Sequence, residues 1–335
     1  MLRPQTLFLR RRRPFGRLRV GRAYASVSSV LPDCSNAEPI QQPAPSSELD
    51  DFLLASLSAS VSGRCTTLRD IVHQYVEKSG CVLASSLPYE SRPTGHRRPT
   101  FDNGHSVVMV AHCVQSQRGD KVTVSSGFAL SGGDSNEGAL IITCAHTLEE
   151  IRRSPLLLDD GVASGSYIVS GAASLMSVVP VAGVVSAIPR SDILLMRTAS
   201  SDLLTLPVSP YPAQRDTTIR AHFVAHTCPQ EAGWTPWVGN TCSKWVRGTV
   251  VGYRDFAGRE TNPGTYDSLS HLLFSPLPTP GSSGGPIVDE ESGAVVGIVL
   301  GTRMDNRVEG VRGWGVPSET IFEMFSLPGF RRSSL

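Results

Sequence analysis

The chain lacks several features that would place it in other classes of protein. No apolar run approaches the ~20 residues that a transmembrane helix needs, so we predict no stable membrane insertion. The formal net charge is only +1 over 335 residues. No two cysteines have C-x-x-C spacing, and no His/Cys cluster has the spacing of zinc ligands. We therefore predict neither a metal nor a cofactor.

Acidic residues are absent from the first 32 positions, which instead contain eight arginines (Arg3, Arg10, Arg11, Arg12, Arg13, Arg17, Arg19 and Arg22). Arginine-rich, serine-containing and acid-free N-termini are typical of mitochondrial transit peptides. Apolar residues such as Phe8 and Leu18 interleave the arginines, as in an amphipathic helix on a membrane surface. We predict that residues 1–24 are a transit peptide and that the mature chain begins near Ala25.

Two other addresses stay open as alternatives. The run Arg10 to Arg13 is also compatible with a basic nucleic-acid arm or a nuclear localisation signal. The C-terminal Ser333-Ser334-Leu335 resembles the peroxisomal S-K-L signal but lacks its basic residue, so it ranks below the mitochondrial address.

Charge and cysteine content describe the rest of the chain. All 30 Asp and Glu residues lie beyond residue 32, so the chain without its leader is mildly acidic and no nucleic-acid partner is predicted. The seven cysteines are odd in number and show no disulfide-like framework, which suits a reducing compartment. These features favour the mitochondrial matrix over the intermembrane space.

The stretch that organises the chain is TPGSSGGP, from Thr279 to Pro286. Its glycines permit backbone conformations that other residues resist and allow a substrate chain to approach closely. Ser283 is the candidate nucleophile, and the backbone N–H groups of Gly281 and Ser283 are candidate donors to an oxyanion. The alternative interpretation is a Gly/Ser-rich hairpin turn without chemistry.

Two upstream motifs could supply a base and an acid. The apolar run from Leu140 ends at His146, and Asp192 begins the apolar run ILLM. Taken singly, a histidine is usually structural and an aspartate before a strand is usually a turn former. Four other histidines, His112, His222, His226 and His271, lie in strand-like runs and are predicted to be structural. Together, His146, Asp192 and Ser283 follow the chain order His, Asp, Ser of one known catalytic triad.

The motifs ITCAH, SDILLM and GSSGGP resemble the active-site motifs of trypsin-like serine peptidases, and the HtrA/Deg branch is the closer resemblance. VSSGFAL at residues 124–130 and GWGVPS at residues 313–318 are similar to HtrA strands. Ser282 stands where zymogen-activated members carry aspartate. Cys144 stands where alanine is usual, and the sequence assigns it no role. The resemblance covers residues 105–325, and no PDZ-like segment follows it.

The resemblance implies serine endopeptidase activity on polypeptide substrates through an acyl-enzyme. His146 would be the base, Asp192 would orient it, and Ser283 would attack. It also implies a specificity pocket formed by Leu277, Val299, Leu300 and Gly301, none of which is acidic, so an apolar P1 residue is expected. The alternative is an HtrA-like peptide-binding or chaperone module whose site is seldom assembled. The sequence leaves the oligomeric state open, a homo-oligomer included.

The resemblance and the strand-like runs predict an all-β core of two six-stranded antiparallel barrels, with the active site in the cleft between them. We expect the first barrel at about residues 105–206 and the second at about 214–318. A linker and a helical extension fill residues 25–104, a closing helix is expected from Ser318 to Phe325, and residues 326–335 form a tail. Periodicity after Ser47 and after Thr67-x-x-Asp70 predicts two short helices in the extension. They are expected to pack on the peptidase domain, with an inhibitory or partner-binding role as the alternative.

Overall fold

The computed structural model describes residues 23–24, 48–60, 66–102, 106–132, 138–159, 161–171, 176–198, 203–265 and 268–327. The predicted transit peptide therefore lies outside the described residues, except for the short strand β1 (Ala23–Tyr24). Most of the predicted linker and of the C-terminal tail also lies outside them.

Two helices form the described part of the N-terminal extension, α1 (Glu48–Ser60) and α2 (Leu68–Glu77). The start of α2 follows the predicted capping pattern, because Thr67 Oγ1 accepts a hydrogen bond from the Asp70 backbone N–H at 3.2 Å. Gly80 follows the helix with a positive φ of 71°, a conformation that favours glycine. Both predicted helices are confirmed.

Six strands form a first closed antiparallel barrel: β2 (Val107–Gln115), β3 (Asp120–Leu130), β4 (Leu140–Cys144), β5 (Ala163–Ser170), β6 (Ser177–Ile188) and β7 (Ile193–Thr198). Their order is β3-β2-β5-β6-β7-β4, and β4 pairs back onto β3 to close the barrel. β1 and the short strand β8 (Thr205–Leu206) both pair with β3 in parallel. A seven-residue helix, α3 (His146–Arg152), follows β4.

The second barrel and its short accessory strands comprise β9 (Thr218–Ala225), β10 (Thr235–Pro236), β11 (Cys242–Arg254), β12 (Glu260–Thr261), β13 (His271–Ser275), β14 (Pro286–Asp289), β15 (Val295–Asn306) and β16 (Gly310–Pro317). The six barrel strands run β9-β11-β13-β16-β15-β14, and β14 pairs with β9 to close the ring. The prediction of two six-stranded antiparallel barrels is confirmed. The closing helix α4 (Glu319–Phe322) is shorter than predicted.

Strand β2 of the first barrel is buried on both of its faces, which explains why it lacks a polar face. Alternate residues of β2 belong to two separate hydrophobic clusters, as the two-residue period of a strand requires. Val107 and Met109 share a cluster with Leu49, Leu53 and Leu57 of α1. Val108 and Val110 share the other cluster with Leu68, Ile71 and Tyr75 of α2. The extension therefore packs on the barrel, as expected.

Helix α1 also contacts the second half of the molecule. The Asn240 side chain, in a 3-10 turn at Val238–Asn240, donates a hydrogen bond to the Glu48 carboxylate. Trp237 and Val238 are buried in the same cluster as Leu49. The helix thus links the first barrel to a loop that precedes β11. Among the described residues, no helix has the length and apolar character needed to cross a membrane.

One cysteine pair corrects the interpretation of the sequence. Cys228 and Cys242 form a disulfide with their Cα atoms 5.3 Å apart. The β9–β11 register places Ala225 opposite Cys242, which brings Cys228, three residues further on, next to its partner. Because this proximity comes from strand pairing, the cysteine spacing alone did not predict it. Cys81 and Cys144 are free.

We expect this disulfide to stabilise the second barrel measurably. Closing a loop of about 15 residues removes about 3 kcal/mol of denatured-state entropy in the chain-entropy account. The double variant Cys228→Ser/Cys242→Ser should lose roughly that much free energy of unfolding in denaturant titrations. Cys81→Ser, at a free cysteine, is the control. An equal loss in both variants, or free thiols at both positions in non-reducing peptide mapping, would contradict the pairing.

Candidate active site

The candidate base and acid lie together because β4 and β7 are antiparallel neighbours. Cys144, the last residue of β4, pairs with Ile193, the first residue of β7. His146 follows the end of β4 and Asp192 precedes the start of β7, so both lie at the same end of the first barrel. His146 Nδ1 is 2.5 Å from Asp192 Oδ2. The two strand-end motifs therefore converge on one hydrogen-bonded pair.

Asp192 is itself held rigidly. Its Oδ1 atom accepts hydrogen bonds from the backbone N–H groups of Ala145 at 2.9 Å and His146 at 2.7 Å. It follows a 3-10 turn at Pro189–Ser191 and adopts a left-handed φ of 56°, a conformation that aspartate and asparagine tolerate better than most residues. The remaining oxygen, Oδ2, is thereby aimed at the imidazole.

The surroundings of His146 favour its protonated form. Burial lowers the pKa of His146, but the neighbouring Cys144 sulfur and the Asp192 carboxylate raise it, and the net direction is well upward. The His146 side chain is still 32% exposed, so one edge of the ring can meet a ligand in the cleft. The pair has the arrangement of a base oriented by a carboxylate.

The loop with Ser283 crosses from the second barrel to the first. Ser126 on β3 donates from its backbone N–H to Ser283 O at 2.8 Å and from its hydroxyl to Gly281 O at 2.9 Å. Gly284 has a positive φ of 84°, and a Cβ there would collide with Ser126 O and Thr143 Oγ1. Glycine at this position therefore permits the two barrels to approach.

A hydroxyl network anchors the same loop to β9. Ser282, buried at 0% exposure, accepts the Val224 backbone N–H at 3.0 Å. Thr279 Oγ1 donates to Val224 O at 2.7 Å and lies 2.9 Å from Ser282 Oγ. Ser282 was identified from the sequence only as a replacement for aspartate. In the structure it holds the backbone on either side of Gly281.

The hydroxyl of Ser283 bonds to the backbone in this arrangement and not to the imidazole. It donates to Leu300 O on β15 at 2.9 Å. His146 Nε2, the ring nitrogen that faces away from Asp192, lies 3.6 Å from Cys144 Sγ. Among the described residues these are the hydrogen-bond partners of Ser283 Oγ and of His146 Nε2. The Ser283 loop therefore lies against Thr143 and Cys144 at the end of the strand that leads to His146, without a Ser283–His146 hydrogen bond.

The candidate oxyanion donors are next to Ser283. Within the described part of the chain, the backbone N–H groups of Gly281 and Ser283 have no hydrogen-bond acceptor, so both are available to a ligand. Gly281 has φ 90°, and a Cβ there would lie 3.4 Å from His226 Nε2. The sequence treated His226 as a structural histidine in a strand-like run and did not place it beside this loop.

The four predicted pocket residues differ in what they present. Leu277 is 51% exposed and follows the Ser275–Pro276 bond. Val299 is fully buried in the core of the second barrel, and its backbone pairs with Gly284 and Gly285 at 2.7 and 2.8 Å. Leu300 supplies the carbonyl that binds Ser283 Oγ. Gly301 continues β15. Of the four, Leu277 presents the most exposed apolar side chain.

Three other histidines fit the structural role that the sequence predicted. Burial lowers the pKa of His112 to about 4 and that of His222 to about 3. Burial, followed by the Arg303 charge, lowers the pKa of His271 to about 4. His222 lies between Trp237 and Trp245, with ring centroids 5.1 Å away on each side. These imidazoles are neutral at physiological pH, and none is part of the His146–Asp192 pair.

The comparison with protein families decides the assignment. The trypsin-like peptidase domain family matches residues 125–298, which is more than half of the chain and includes His146, Asp192 and Ser283. The chain belongs to the trypsin-like peptidase family. The prediction of this family from the three motifs is confirmed. No curated protein matches this peptidase in a sequence comparison.

Solved structures similar to this peptidase include the MamO protease domain from Magnetospirillum magneticum, with 17% identity and a TM-score of 0.40 over 65% of this chain and 94% of that one. Deg5 matches with 15% identity and a TM-score of 0.42, over 66% of this chain and 87% of that one. The serine endoprotease from Yersinia pestis matches with 17% identity and a TM-score of 0.40, over 68% and 64%.

The peptidase site contains residues whose position the sequence did not reveal. Ser126 and Ser282 anchor the Ser283 loop from two different barrels, and Cys144 contacts the candidate base. The resemblance marked Ser282 and Cys144 as departures from the family pattern, which was the available signal. In the described ranges, no group of three His, Cys, Asp or Glu side chains is arranged to hold a metal ion.

Proposed function

We propose that this peptidase is a serine endopeptidase that cleaves polypeptides through an acyl-enzyme. Ser283 Oγ attacks the scissile carbonyl while His146 accepts its proton. Asp192 fixes the imidazole tautomer, and the Gly281 and Ser283 N–H groups bind the oxyanion. Water then repeats the step on the acyl-enzyme. The observation that carries the proposal is the 2.5 Å pair of His146 and Asp192, formed at the cleft onto which Ser126 docks the Ser283 loop.

Catalysis requires one local change from the arrangement described. The Ser283 hydroxyl has to rotate from Leu300 O toward His146 Nε2. The backbone of the loop is already held by Ser126, Ser282 and Thr279. Leu300 O, once released, can accept a hydrogen bond from a substrate backbone N–H. The cost of the rotation is small because one net hydrogen bond contributes only about 0.5 to 1.5 kcal/mol.

The same Ser283–Leu300 contact supports the second candidate function, a peptide-binding or chaperone module with a seldom assembled site. A fluorophosphonate probe separates the two, because covalent labelling requires an activated nucleophile. We expect the wild-type chain to be labelled and Ser283→Ala to remain unlabelled. A folded wild-type chain that binds peptides without labelling would favour the binding module.

We expect apolar P1 residues to be preferred, since Leu277 presents an exposed apolar side chain at the predicted base of the pocket. Burying a leucine-sized P1 side chain is favourable by about 1.5 to 3 kcal/mol, whereas a desolvated arginine without a carboxylate partner is penalised. Leu277→Asp should shift a peptide-library cleavage profile toward Lys and Arg. Leu158→Asp, at an exposed leucine of the first barrel, should leave the profile unchanged. Basic P1 preference in the wild type would show that the pocket is elsewhere.

We propose a mitochondrial location on the basis of the arginine-rich, acid-free leader. Protein purified from mitochondria should begin near Ala25 or Ser26 when its N-terminus is sequenced, because the leader is removed on import. An intact Met1 on the organellar protein would contradict the proposal. So would peroxisomal or nuclear localisation of the full chain. Removal at Ala25 would also separate β1 from the mature chain.

The compartment within mitochondria can be tested separately. The sequence favours the matrix, whereas structural disulfides such as Cys228–Cys242 form in oxidising compartments and favour the intermembrane space. Protease protection of the imported protein, before and after rupture of the outer membrane, distinguishes the two. Digestion only after rupture of the outer membrane would place the protein in the intermembrane space.

A further inference from the structure

Cys144 is the nucleophilic side chain that the proposed mechanism does not use, although it contacts the base. It is buried at 0% exposure at the end of β4. Its sulfur lies 3.6 Å from His146 Nε2 and 3.9 Å from Thr147 Oγ1. A thiol is a weak hydrogen-bond donor, and at this distance it can direct its proton to the imidazole.

Only one donor can use His146 Nε2 at a time. When Nδ1 carries the ring proton and donates it to Asp192, Nε2 has a single in-plane lone pair. The proposed mechanism requires the Ser283 hydroxyl to donate to that lone pair. In the structure the Cys144 thiol lies next to it, and Ser283 donates to Leu300 O instead. The Cys144–His146 contact and the Ser283–Leu300 hydrogen bond therefore belong to one resting arrangement, in which Ser283 does not bond to His146.

We propose that Cys144 is a positioning residue whose thiol competes with Ser283 for His146 Nε2 and so holds the peptidase in this resting arrangement. The inference rests on the proposed function, since it assumes that His146 is the base. It predicts that the alanine which the family usually carries at this position would leave Nε2 free for Ser283. With cysteine in place of alanine, the chain would then be less active, because Cys144 keeps His146 from accepting the Ser283 hydrogen bond.

The other groups around His146 do not account for the contact at its Nε2 atom. Asp192 reaches the opposite ring nitrogen from the start of β7, and Thr147 follows in the same helix. Tyr75 of α2 lies in the electrostatic field of Glu149 and Asp192. Burial, followed by Glu149, raises the pKa of Tyr75 to about 12, so it is neutral at physiological pH. Among the described residues, Cys144 is therefore the neighbour that contacts His146 Nε2.

The first test is the rate of peptide cleavage by the full chain. Loss of a competing hydrogen bond in Cys144→Ala should raise kcat/KM by about 2-fold to 10-fold. Cys144→Ser keeps a hydrogen-bond donor at similar volume, so its kcat/KM should lie between those of the wild type and Cys144→Ala. Cys113→Ala, at another buried cysteine of the first barrel, controls for the loss of core volume.

The second test does not depend on peptidase activity. NMR of the His146 ring, assigned by comparison with His146→Gln, should give a different Nε2 chemical shift in Cys144→Ala from that in the wild type or in Cys113→Ala, because a donor to that nitrogen is lost. That shift without peptide cleavage in any variant would support the role of Cys144 while refuting the proposed function. An unchanged Nε2 chemical shift in Cys144→Ala would overturn the inference, even in an active peptidase. An equal shift in Cys113→Ala, or a lower kcat/KM in Cys144→Ala, would overturn it as well.

Discussion

Replacing Ser283 with alanine is expected to reduce kcat by roughly a million-fold, and His146→Ala should do the same. The double variant should lose little more than either single one, because nucleophile and base act as a unit. Loss of the Ser283 hydroxyl removes its hydrogen bond to Leu300 O but leaves the loop anchored by Ser126 and Ser282, so the folded structure should persist. Peptide hydrolysis and thermal unfolding of the same preparations measure both.

The control for this experiment is Ser282→Ala, which keeps the nucleophile but removes the hydroxyl that binds Val224 N–H. It should lose much less activity than Ser283→Ala. Substantial activity in Ser283→Ala would remove Ser283 from the mechanism. In the wild type, activity should rise with pH as His146 loses its proton. Because its surroundings raise the pKa of His146, this rise should lie above the ordinary histidine value of about 6.5.

Asp192→Asn should reduce kcat by about ten-thousand-fold while leaving the fold intact. Asparagine tolerates the left-handed backbone at this position, and its amide oxygen can still accept from the N–H groups of Ala145 and His146. Its NH₂ group would then face His146 Nδ1 and donate to it, which places the ring proton on Nε2. An imidazole with a proton on Nε2 cannot accept one from Ser283.

A measurement of kcat together with amide exchange at Ala145 and His146 tests this reasoning. Retained protection of both amides with a collapsed kcat is the expected result. Asp192→Ala should lose the protection at His146, since it removes the acceptor of that N–H group, whereas Ala145 N–H also donates to the Asp192 backbone carbonyl at 3.0 Å and should stay partly protected. Near-normal kcat in Asp192→Asn would show that the carboxylate only supports the backbone.

Much of the fold could be predicted because the strand-like runs are short, β-branched and bounded by Gly, Pro and Asp. Each of the twelve barrel strands coincides with one of these runs and usually extends a few residues beyond it. The ends of the strands and of the closing helix were predicted less accurately. β15 continues to Asn306 because its pairing with β16 extends beyond the apolar run, and α4 stops at Phe322 within the predicted closing helix.

The sequence by itself determined which residues could carry the chemistry. Ser283, His146 and Asp192 lie in local motifs whose residue types are required by acyl transfer, and the leader and the helix caps are likewise local patterns. Local composition fixes what each short segment can do, because propensity, turn formation and donor or acceptor chemistry depend on near neighbours along the chain.

The tertiary structure decided everything that depends on pairs distant in the sequence. The β9–β11 register joins Cys228 to Cys242, the β4–β7 register brings His146 to Asp192, and the contact between barrels places Ser126 against the Ser283 loop. Cys144 and His146 are only two residues apart, but the fold also sets how their side chains are oriented toward each other. A 3.6 Å contact of this kind depends on the orientation of two side chains around a closed barrel, and no local pattern in the sequence encodes that orientation.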